Sequence, residues 1–227
     1  MARILTIGAH PDDVEIGMGG TIASLVEKGH EVTILDLTDG EPTPTGSREM
    51  RLSESKEAAK VLGVKDRITL DLPNRYLMDT IENRIKVAEV IRKVKPDIIF
   101  LHYWTDAHPD HRAASLLSEA SRFYAKLTKT DMSGEPYYPR RMYYFFSSHF
   151  RLLVKPAFVF DISRFLDLKI KAISCYKSQF NETRGNLRIL DDLRVVARWW
   201  GSRAGIEYGE PFASRESLPL KEIQAIL

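Results

Sequence analysis

The chain has 227 residues, of which 44% are hydrophobic and 28% charged, a balance that excludes collagen-like, disordered and membrane-spanning proteins. The formal net charge of +2 lacks the basic excess of nucleic-acid-binding proteins, so we expect no nucleic-acid partner. Since no apolar run approaches the roughly 18 residues of a membrane span, we expect no membrane partner either. The single cysteine, Cys175, allows no internal disulfide, which predicts a reducing, cytoplasmic environment.

Short apolar runs alternate with segments of helical apolar spacing over the first 125 residues. The predicted strands are 3–8, 31–38, 67–72 and 97–102, and the predicted helices are 18–28, 48–62, a helix from Ile81 to the stop at Pro96, and 109–125. Because strand and helix alternate four times, we expect an α/β fold: a Rossmann-like parallel sheet with helices on both faces.

The pattern changes after residue 125. We expect a long loop at 126–140, strands at 141–146 and 157–161, helices near 163–175 and 187–200, and an irregular stretch at 205–219. Since nothing resembles a linker, we predict one domain over 1–227. In it, 1–125 forms the α/β half with the polar motifs, and 126–227 supplies the loops and the C-terminal part.

Two polar clusters follow predicted strands. The segment 10–13 reads His-Pro-Asp-Asp after the first strand, and 108–111 reads His-Pro-Asp-His soon after the fourth strand ends at His102. With the strand order 3-2-1-4, the first and fourth strands are neighbours at the topological switch point, where ligands bind. We therefore expect both clusters to converge in one crevice.

The clusters carry the ligand types of a catalytic metal centre. His10, Asp13 and His111 would supply two imidazoles and one carboxylate and leave a fourth position open for water, as in catalytic zinc sites. If the first turn is helical, Asp12 projects about 100° from Asp13 and is left to act as the general base. We expect one Zn²⁺ per chain, with another divalent metal as the alternative.

The remaining polar residues of the second cluster suggest the rest of a hydrolase site. His108 would stabilise an oxyanion and protonate a leaving amine, with Asp110 behind it to orient the ring. Each motif alone has an ordinary explanation, because Asp and Pro are common in turns after strands and a His-Pro-Asp-His segment can cap a helix. Both together, at the ends of strands expected to be adjacent, favour a site.

The pair of motifs resembles the signature of the LmbE-like, or PIG-L, family of zinc-dependent N-deacetylases, which combines A-H-P-D-D with H-P-D-H about a hundred residues later. The resemblance implies that His10, Asp13 and His111 bind zinc and that Asp12 is the general base. It implies that His108 is the electrophilic acid with Asp110 behind it. The expected reaction is hydrolysis of an acetamide on an N-acetylglucosamine unit.

Within that family, the segments 8–21, 176–180 and 208–212 look like the bacillithiol-pathway deacetylases, which act on N-acetylglucosaminyl malate. This resemblance implies a small amino-sugar substrate and a homo-oligomer, a trimer or a hexamer. Asp106 stands where other branches of the family carry a tyrosine, so a mechanism that depends on a phenol is not expected here.

A malate-bearing substrate would require guanidinium groups for its two carboxylates. Arg51 matches the position where such enzymes place a substrate-binding arginine, and Arg75 follows the predicted end of the third strand. For both, a surface arginine is the alternative. Gln179 is a candidate sugar contact, for which a loop-ordering hydrogen bond is the alternative.

Other functions stay open at this stage. The same ligands would suit deacetylation of another substrate such as a chitooligosaccharide, or hydrolysis of a different bond such as a phosphoester. A non-enzymatic metal- or nucleotide-binding module is a further alternative, and it would have no need of Asp12.

Overall fold

The computed structural model describes residues 1–146, 154–181 and 185–218. The strands are β1 (Arg3–Gly8), β2 (Glu31–Asp36), β3 (Asp66–Thr69), β4 (Ile98–His102), β5 (Arg141–Phe145), β6 (Phe158–Asp161) and β7 (Gly209–Ala213). The helices are α1 (Asp13–Glu27), α2 (Arg48–Leu62), α3 (Ile81–Val94), α4 (Pro109–Ala125), α5 (Leu166–Ile173) and α6 (Ile189–Ala204).

The strands form one sheet in the order β3-β2-β1-β4-β5-β7-β6. Strands β1 to β5 run parallel, whereas β7 is antiparallel to both β5 and β6. The predicted neighbourhood of the first and fourth strands is confirmed, since Ile4 pairs with Ile98 and Thr6 with Phe100. The carboxyl ends of β1 and β4 therefore lie side by side at the switch point.

Helices cover both faces of the sheet, as the alternating sequence pattern predicts. Successive residues of a strand point to opposite faces. Leu5 and Ile7 of β1 pack on the side of α3 and α4, and Ile4 packs on the side of α1, α2 and α5. Among the described residues, no helix is long and apolar enough to cross a membrane.

The predicted helices 48–62 and 109–125 match α2 and α4, because local capping chemistry marks their ends. The Ser47 hydroxyl accepts the N–H of Met50 at the start of α2, and Gly63 ends that helix with a left-handed φ of 74°. Pro109 occupies the first turn of α4, where its missing N–H costs no hydrogen bond.

Helix α1 begins earlier than predicted. It starts at Asp13 rather than at residue 18, and it is kinked at Met18, which has a φ of −152°. The carboxylate of Glu210 accepts the N–H groups of Gly20 and Thr21 at 3.0 and 2.7 Å, just after the kink. A carboxylate from a distant strand therefore caps the second half of α1, a role that no local spacing indicates.

The tail predicted to be irregular contains strand β7. Glycine and proline are disfavoured in strand interiors, so Gly209 and Pro211 made the sequence pattern of this strand look irregular. Pro211 nevertheless lies opposite Val159, in a strand that pairs on both edges. The loop predicted at 126–140 is present, with neither helix nor strand.

Candidate active site

The turn after β1 holds the first cluster. Asp12 has a φ of 111°, so the turn is not helical at this residue, and the predicted helical geometry for Asp12 and Asp13 is wrong. Instead, the Asp13 carboxylate accepts the N–H of His10 at 2.7 Å. The Asp12 carbonyl accepts the N–H of Ile16 at 2.9 Å in the first turn of α1. This arrangement separates the two adjacent carboxylates and gives each its own surroundings.

His10 and Asp13 meet His111 from the first turn of α4, as the predicted topology requires. Nδ1 of His10 lies 3.4 Å from Oδ2 of Asp13, and Nε2 of His111 lies 3.1 Å from Oδ1 of the same carboxylate. One ligand atom from each of the three residues lies within 4.8 Å of the others. Two imidazole nitrogens and one carboxylate oxygen at these separations fit a divalent metal with an open coordination position.

Each histidine of this group has a carboxylate on its other ring nitrogen. Nδ1 of His111 lies 2.8 Å from Oδ2 of Asp106, and Nε2 of His10 lies 3.2 Å from Oδ2 of Asp110. Such carboxylates fix the ring orientation and increase the basicity of a metal-binding histidine. The paired carboxylates leave Nδ1 of His10 and Nε2 of His111 to face Asp13.

Asp110 lies beside His108, as expected, and its carboxylate also has partners outside that ring; the orienting role of Asp110 stays a prediction. That carboxylate contacts His10 and accepts the N–H groups of Arg75 and Leu77 at 2.6 and 3.3 Å. It is the backbone N–H of Asp110 that donates to Nδ1 of His108, at 3.2 Å. Asp110 is therefore a positioning residue for His10 and for the loop that carries Arg75.

The part played by Asp106 was missed in the sequence. Besides contacting His111, its carboxylate accepts the N–H of His108 at 2.9 Å, two residues further on. An Asp two residues before the cap of a helix commonly forms such a local hydrogen bond, and this spacing is the signal that could have identified it.

His108 lies at the edge of the metal-binding group. Its ring centroid is 4.6 Å from that of His111 and 4.9 Å from that of His10. Because Nδ1 accepts the N–H of Asp110, a neutral His108 ring carries its proton on Nε2. Burial and the neighbouring His111 lower the pKa of His108 to about 4, which favours that neutral form.

Asp12 is a buried carboxylate held by one arginine. Burial raises the pKa of Asp12 to about 7, against the opposing effect of Arg51, whose Nη2 donates to Oδ2 at 3.0 Å. Nε and Nη2 of Arg51 also donate to the Pro11 carbonyl at 3.2 and 2.7 Å. Arg51 thus lines the cavity with its guanidinium bound to the turn that presents Asp12, and its binding of substrate stays a prediction.

A cavity of about 450 Å³ opens over these groups. Eight of the nine predicted site residues line it, all but Asp110. The described lining is His10, Asp12, Asp13, Ile16, Gly40, Pro42, Thr43, Pro44, Arg51, Asn74, Arg75, His102, His108, His111, Phe145, Gln179, Phe180, Asn186 and Ile189. The volume is in the usual range of small-molecule sites.

Loops form the rim of this cavity. Arg75 is exposed, has a φ of 68°, and donates from Nη2 to the Pro42 carbonyl at 2.6 Å. The side-chain amide of Gln179 donates to the hydroxyls of Thr43 and Ser178 at 3.3 and 2.9 Å. The contact with Thr43 ties the loop before α2 to the loop after α5, in line with a loop-ordering role for Gln179.

An ionic network that the sequence did not indicate lies next to the turn that follows β1. Arg67 of β3 binds both oxygens of Asp36 at 2.6 and 2.8 Å and also contacts Glu15 at 2.6 Å. The Tyr176 hydroxyl donates to the same Glu15 oxygen at 2.8 Å. Since Glu15 is fully buried and lies two residues after Asp13, this network anchors the start of α1 from beneath.

The comparisons with known proteins agree with this geometry. The family model described as PIG-L, GlcNAc-PI de-N-acetylase, matches residues 5–121, which span both polar clusters. The chain belongs to the PIG-L family.

Two relatives of this PIG-L protein are sugar deacetylases. A diacetylchitobiose deacetylase of Thermococcus kodakarensis is 33% identical over 223 residues, covering 92% of this chain and 81% of the relative. A 1D-myo-inositol 2-acetamido-2-deoxy-alpha-D-glucopyranoside deacetylase of Thermomonospora curvata is 30% identical, covering 62% of this chain and 59% of the relative.

Among solved structures, a conserved protein of Thermus thermophilus is similar over nearly the whole chain. It superposes with a TM-score of 0.89 and 36% identity, covering 97% of this chain and 98% of that protein. The α/β architecture is therefore shared with that solved structure.

Proposed function

We propose that this PIG-L protein is a zinc-dependent deacetylase of N-acetylglucosamine conjugates. The observation that carries the proposal is a single cavity lined by the candidate metal-binding group of His10, Asp13 and His111. The buried carboxylate of Asp12 and the neutral imidazole of His108 line the same cavity beside this group. A base and an oxyanion donor beside an open metal position are what amide hydrolysis requires.

The chemistry follows from the position of these side chains. A divalent ion held by His10, Asp13 and His111 would make a water molecule more acidic and polarise the amide carbonyl. Asp12 accepts a proton from the attacking water as its oxygen bonds to the carbonyl carbon. Nε2–H of His108 donates to the carbonyl oxygen as negative charge develops there. The proton taken up by Asp12 then passes to the amide nitrogen, the carbon–nitrogen bond breaks, and acetate and a free amine leave.

For the substrate, we infer N-acetylglucosaminyl malate, the intermediate of bacillithiol synthesis. An exposed arginine at the rim, Arg75, supports an acidic aglycone, because a guanidinium can bind a carboxylate through two hydrogen bonds. Arg51 is the weaker candidate for this contact, since it is buried and bound to Asp12 and Pro11. Diacetylchitobiose is the second candidate, favoured by the relative at 33% identity.

The test is acetate release from the zinc-loaded protein on a panel of three substrates: N-acetylglucosaminyl malate, free N-acetylglucosamine and diacetylchitobiose. We expect kcat/KM to be highest for the malate conjugate. A preference for diacetylchitobiose, or equal values on all three, would contradict the malate assignment while leaving the deacetylase in place. Cleavage of a phosphoester without acetate release would overturn the deacetylase itself.

Three further properties belong to the same proposal: zinc as the metal, a cytoplasmic location and a homo-oligomer of three or six chains. Metal analysis of the purified protein and its mass in solution test the first and the last. A protein that holds a different divalent metal, or that is monomeric at micromolar concentration, would correct the corresponding statement.

A further inference from the structure

One aromatic side chain forms the inner wall of the cavity. Phe145, the last residue of β5, lines the cavity and is fully buried. Its ring centroid lies 4.7 Å from that of His102, which stacks at 4.2 Å on His111. The ring of Phe145 is thus one side chain away from the metal-binding group.

Helix α1 leaves room for this ring. Gly17 lies one turn after Asp13, and a Cβ placed on Gly17 would come within 2.3 Å of Cδ2 of Phe145. Glycine in a helix interior is less stable than alanine, so its presence here fits a close approach that no other residue allows. The position of the Phe145 ring is therefore set by the helix that carries Asp13.

The direction of the acyl group follows from the geometry of an amide. The carbonyl carbon bears an oxygen, a nitrogen attached to the sugar, and the acyl methyl group. The sugar is the bulkiest substituent and must extend toward the mouth, where Pro42 and Arg75 are exposed. With the oxygen directed at His108, the methyl group is left to point to the closed end.

The closed end is where Phe145 lies. Of the apolar side chains in the described lining, Phe145 is fully buried, whereas Ile16, Phe180 and Ile189 are partly exposed. An apolar wall favours a methyl group, and a longer acyl chain would press on the packed Phe145 ring, because packed interiors accommodate an extra methylene only at a cost.

We propose that Phe145 determines which acyl group the enzyme removes, accepting acetyl and rejecting longer chains. This inference rests on the proposed deacetylase function. Phe145 is a specificity-determining residue in this account, and Gly17 holds the space that its ring occupies.

The test compares N-acetyl and N-propionyl derivatives of the substrate that the panel selects. Phe145→Leu removes about one methylene of volume, and Phe145→Ala removes more. We expect the ratio of kcat/KM for propionyl over acetyl to rise by about 10-fold or more in the Leu variant and further in the Ala variant. Phe100→Leu is the matched control, because Phe100 is a buried aromatic of the adjacent strand that does not line the cavity. Its ratio should stay at the wild-type value.

A variant that narrows the cavity instead of widening it tests the proposal even if Phe145→Ala does not fold. Gly17→Ala would press on the Phe145 ring and narrow the closed end. We expect it to lower kcat/KM for the acetyl substrate by about 10-fold relative to the N-formyl derivative. Equal losses on formyl and acetyl substrates would contradict the proposal.

The proposed role of Phe145 and the proposed deacetylase function can be disproved separately. If the wild-type protein removes acetyl groups but the folded Phe145→Leu variant keeps the wild-type acyl preference, the role of Phe145 is wrong and the deacetylase stands. If the wild-type protein releases no acetate from any amino sugar, the proposed function is wrong and the role of Phe145 falls with it.

Discussion

The carboxylate of Asp110 lies 3.2 Å from Nε2 of His10, a residue one hundred positions earlier in the chain. The Asp106 carboxylate likewise lies 2.8 Å from Nδ1 of His111. His10 and His111 are thus both oriented by carboxylates from one short segment, 106–110, around the start of α4.

Replacing Asp110 with Asn should weaken metal binding, because the neutral amide no longer attracts a proton on the far nitrogen of His10. Loss of such a partner typically costs 10- to 100-fold in metal affinity. Zinc competition with a fluorescent chelator measures the change. Asp131→Asn, in an exposed loop, is the control, and an unchanged affinity in the Asp110 variant would contradict the role assigned to this residue.

Asp12→Asn should remove the general base while leaving the three metal ligands intact. We expect kcat to fall by about 10²- to 10⁴-fold, the usual contribution of a positioned base. Metal content, measured on the same preparation, should stay close to one equivalent. A variant that retains more than a tenth of the wild-type kcat would show that another group activates the water.

Arg51→Lys should distinguish a positioning role from a substrate contact. Lysine keeps the charge but loses the planar fork that holds both Pro11 and Asp12. Because a base displaced by about 1 Å can cost about 100-fold, kcat should fall strongly with little change in KM. The opposite result, a large rise in KM at unchanged kcat, would restore Arg51 to the substrate-binding residues.

Arg75→Met should act only on acidic substrates. If its guanidinium binds a malate carboxylate, kcat/KM for N-acetylglucosaminyl malate should fall by about 10- to 100-fold, as expected for a charged hydrogen bond. The value for diacetylchitobiose should barely change. Arg48→Met, a half-exposed arginine outside the cavity lining, is the matched control. Parallel losses on both substrates would argue against a carboxylate contact.

Glu216 provides a pH-dependent contribution to stability. A hydrogen bond from Arg122 lowers the pKa of Glu216, so the folded state favours the ionised carboxylate. This contribution is complete above the pKa of the unfolded carboxyl and is lost as pH falls through the lower folded pKa. Glu216→Gln should therefore be less stable than wild type at pH 7, by at most about 1 kcal/mol because the pair is partly exposed.

Urea unfolding of both proteins across the acid range measures this effect. The difference in the free energy of unfolding should shrink as pH falls, since the wild-type carboxyl becomes neutral like the amide. A difference that stays constant with pH would mean that packing, and not charge, accounts for it.

Local sequence patterns predicted most of the helices and strands. Apolar runs such as 3–8 and stops such as Gly63 act over a few residues, so they can be recognised in one sequence. The order of the first four strands followed from handedness rules, and it brought His10 and His111 together as expected. The motif spacing therefore brought His10, Asp13 and His111 close together as expected, and their binding of a metal stays a prediction.

Contacts between distant residues could not be predicted in this way. The left-handed φ of Asp12 occurs in a turn whose Pro11 carbonyl is bound by Arg51 from a separate helix, a contact that no local pattern indicates. The contacts of the Asp110 carboxylate with His10 and with the N–H groups of Arg75 and Leu77 were not predicted, because these residues are distant from it in sequence. Strand β7 was missed because pairing on two edges outweighs the local preferences of Gly209 and Pro211.

The position of β7 has a consequence for biosynthesis. The strand lies between β5 and β6, and its Glu210 caps α1 from 190 residues away. A nascent chain therefore carries the whole metal-binding turn long before the strand that completes the sheet leaves the ribosome. Until then the unpaired edge of β5 is open to other strands, and the long sequence separation slows its closure. The fold therefore leaves this edge of the sheet uncovered during synthesis until residues 209–213 can pair with β5.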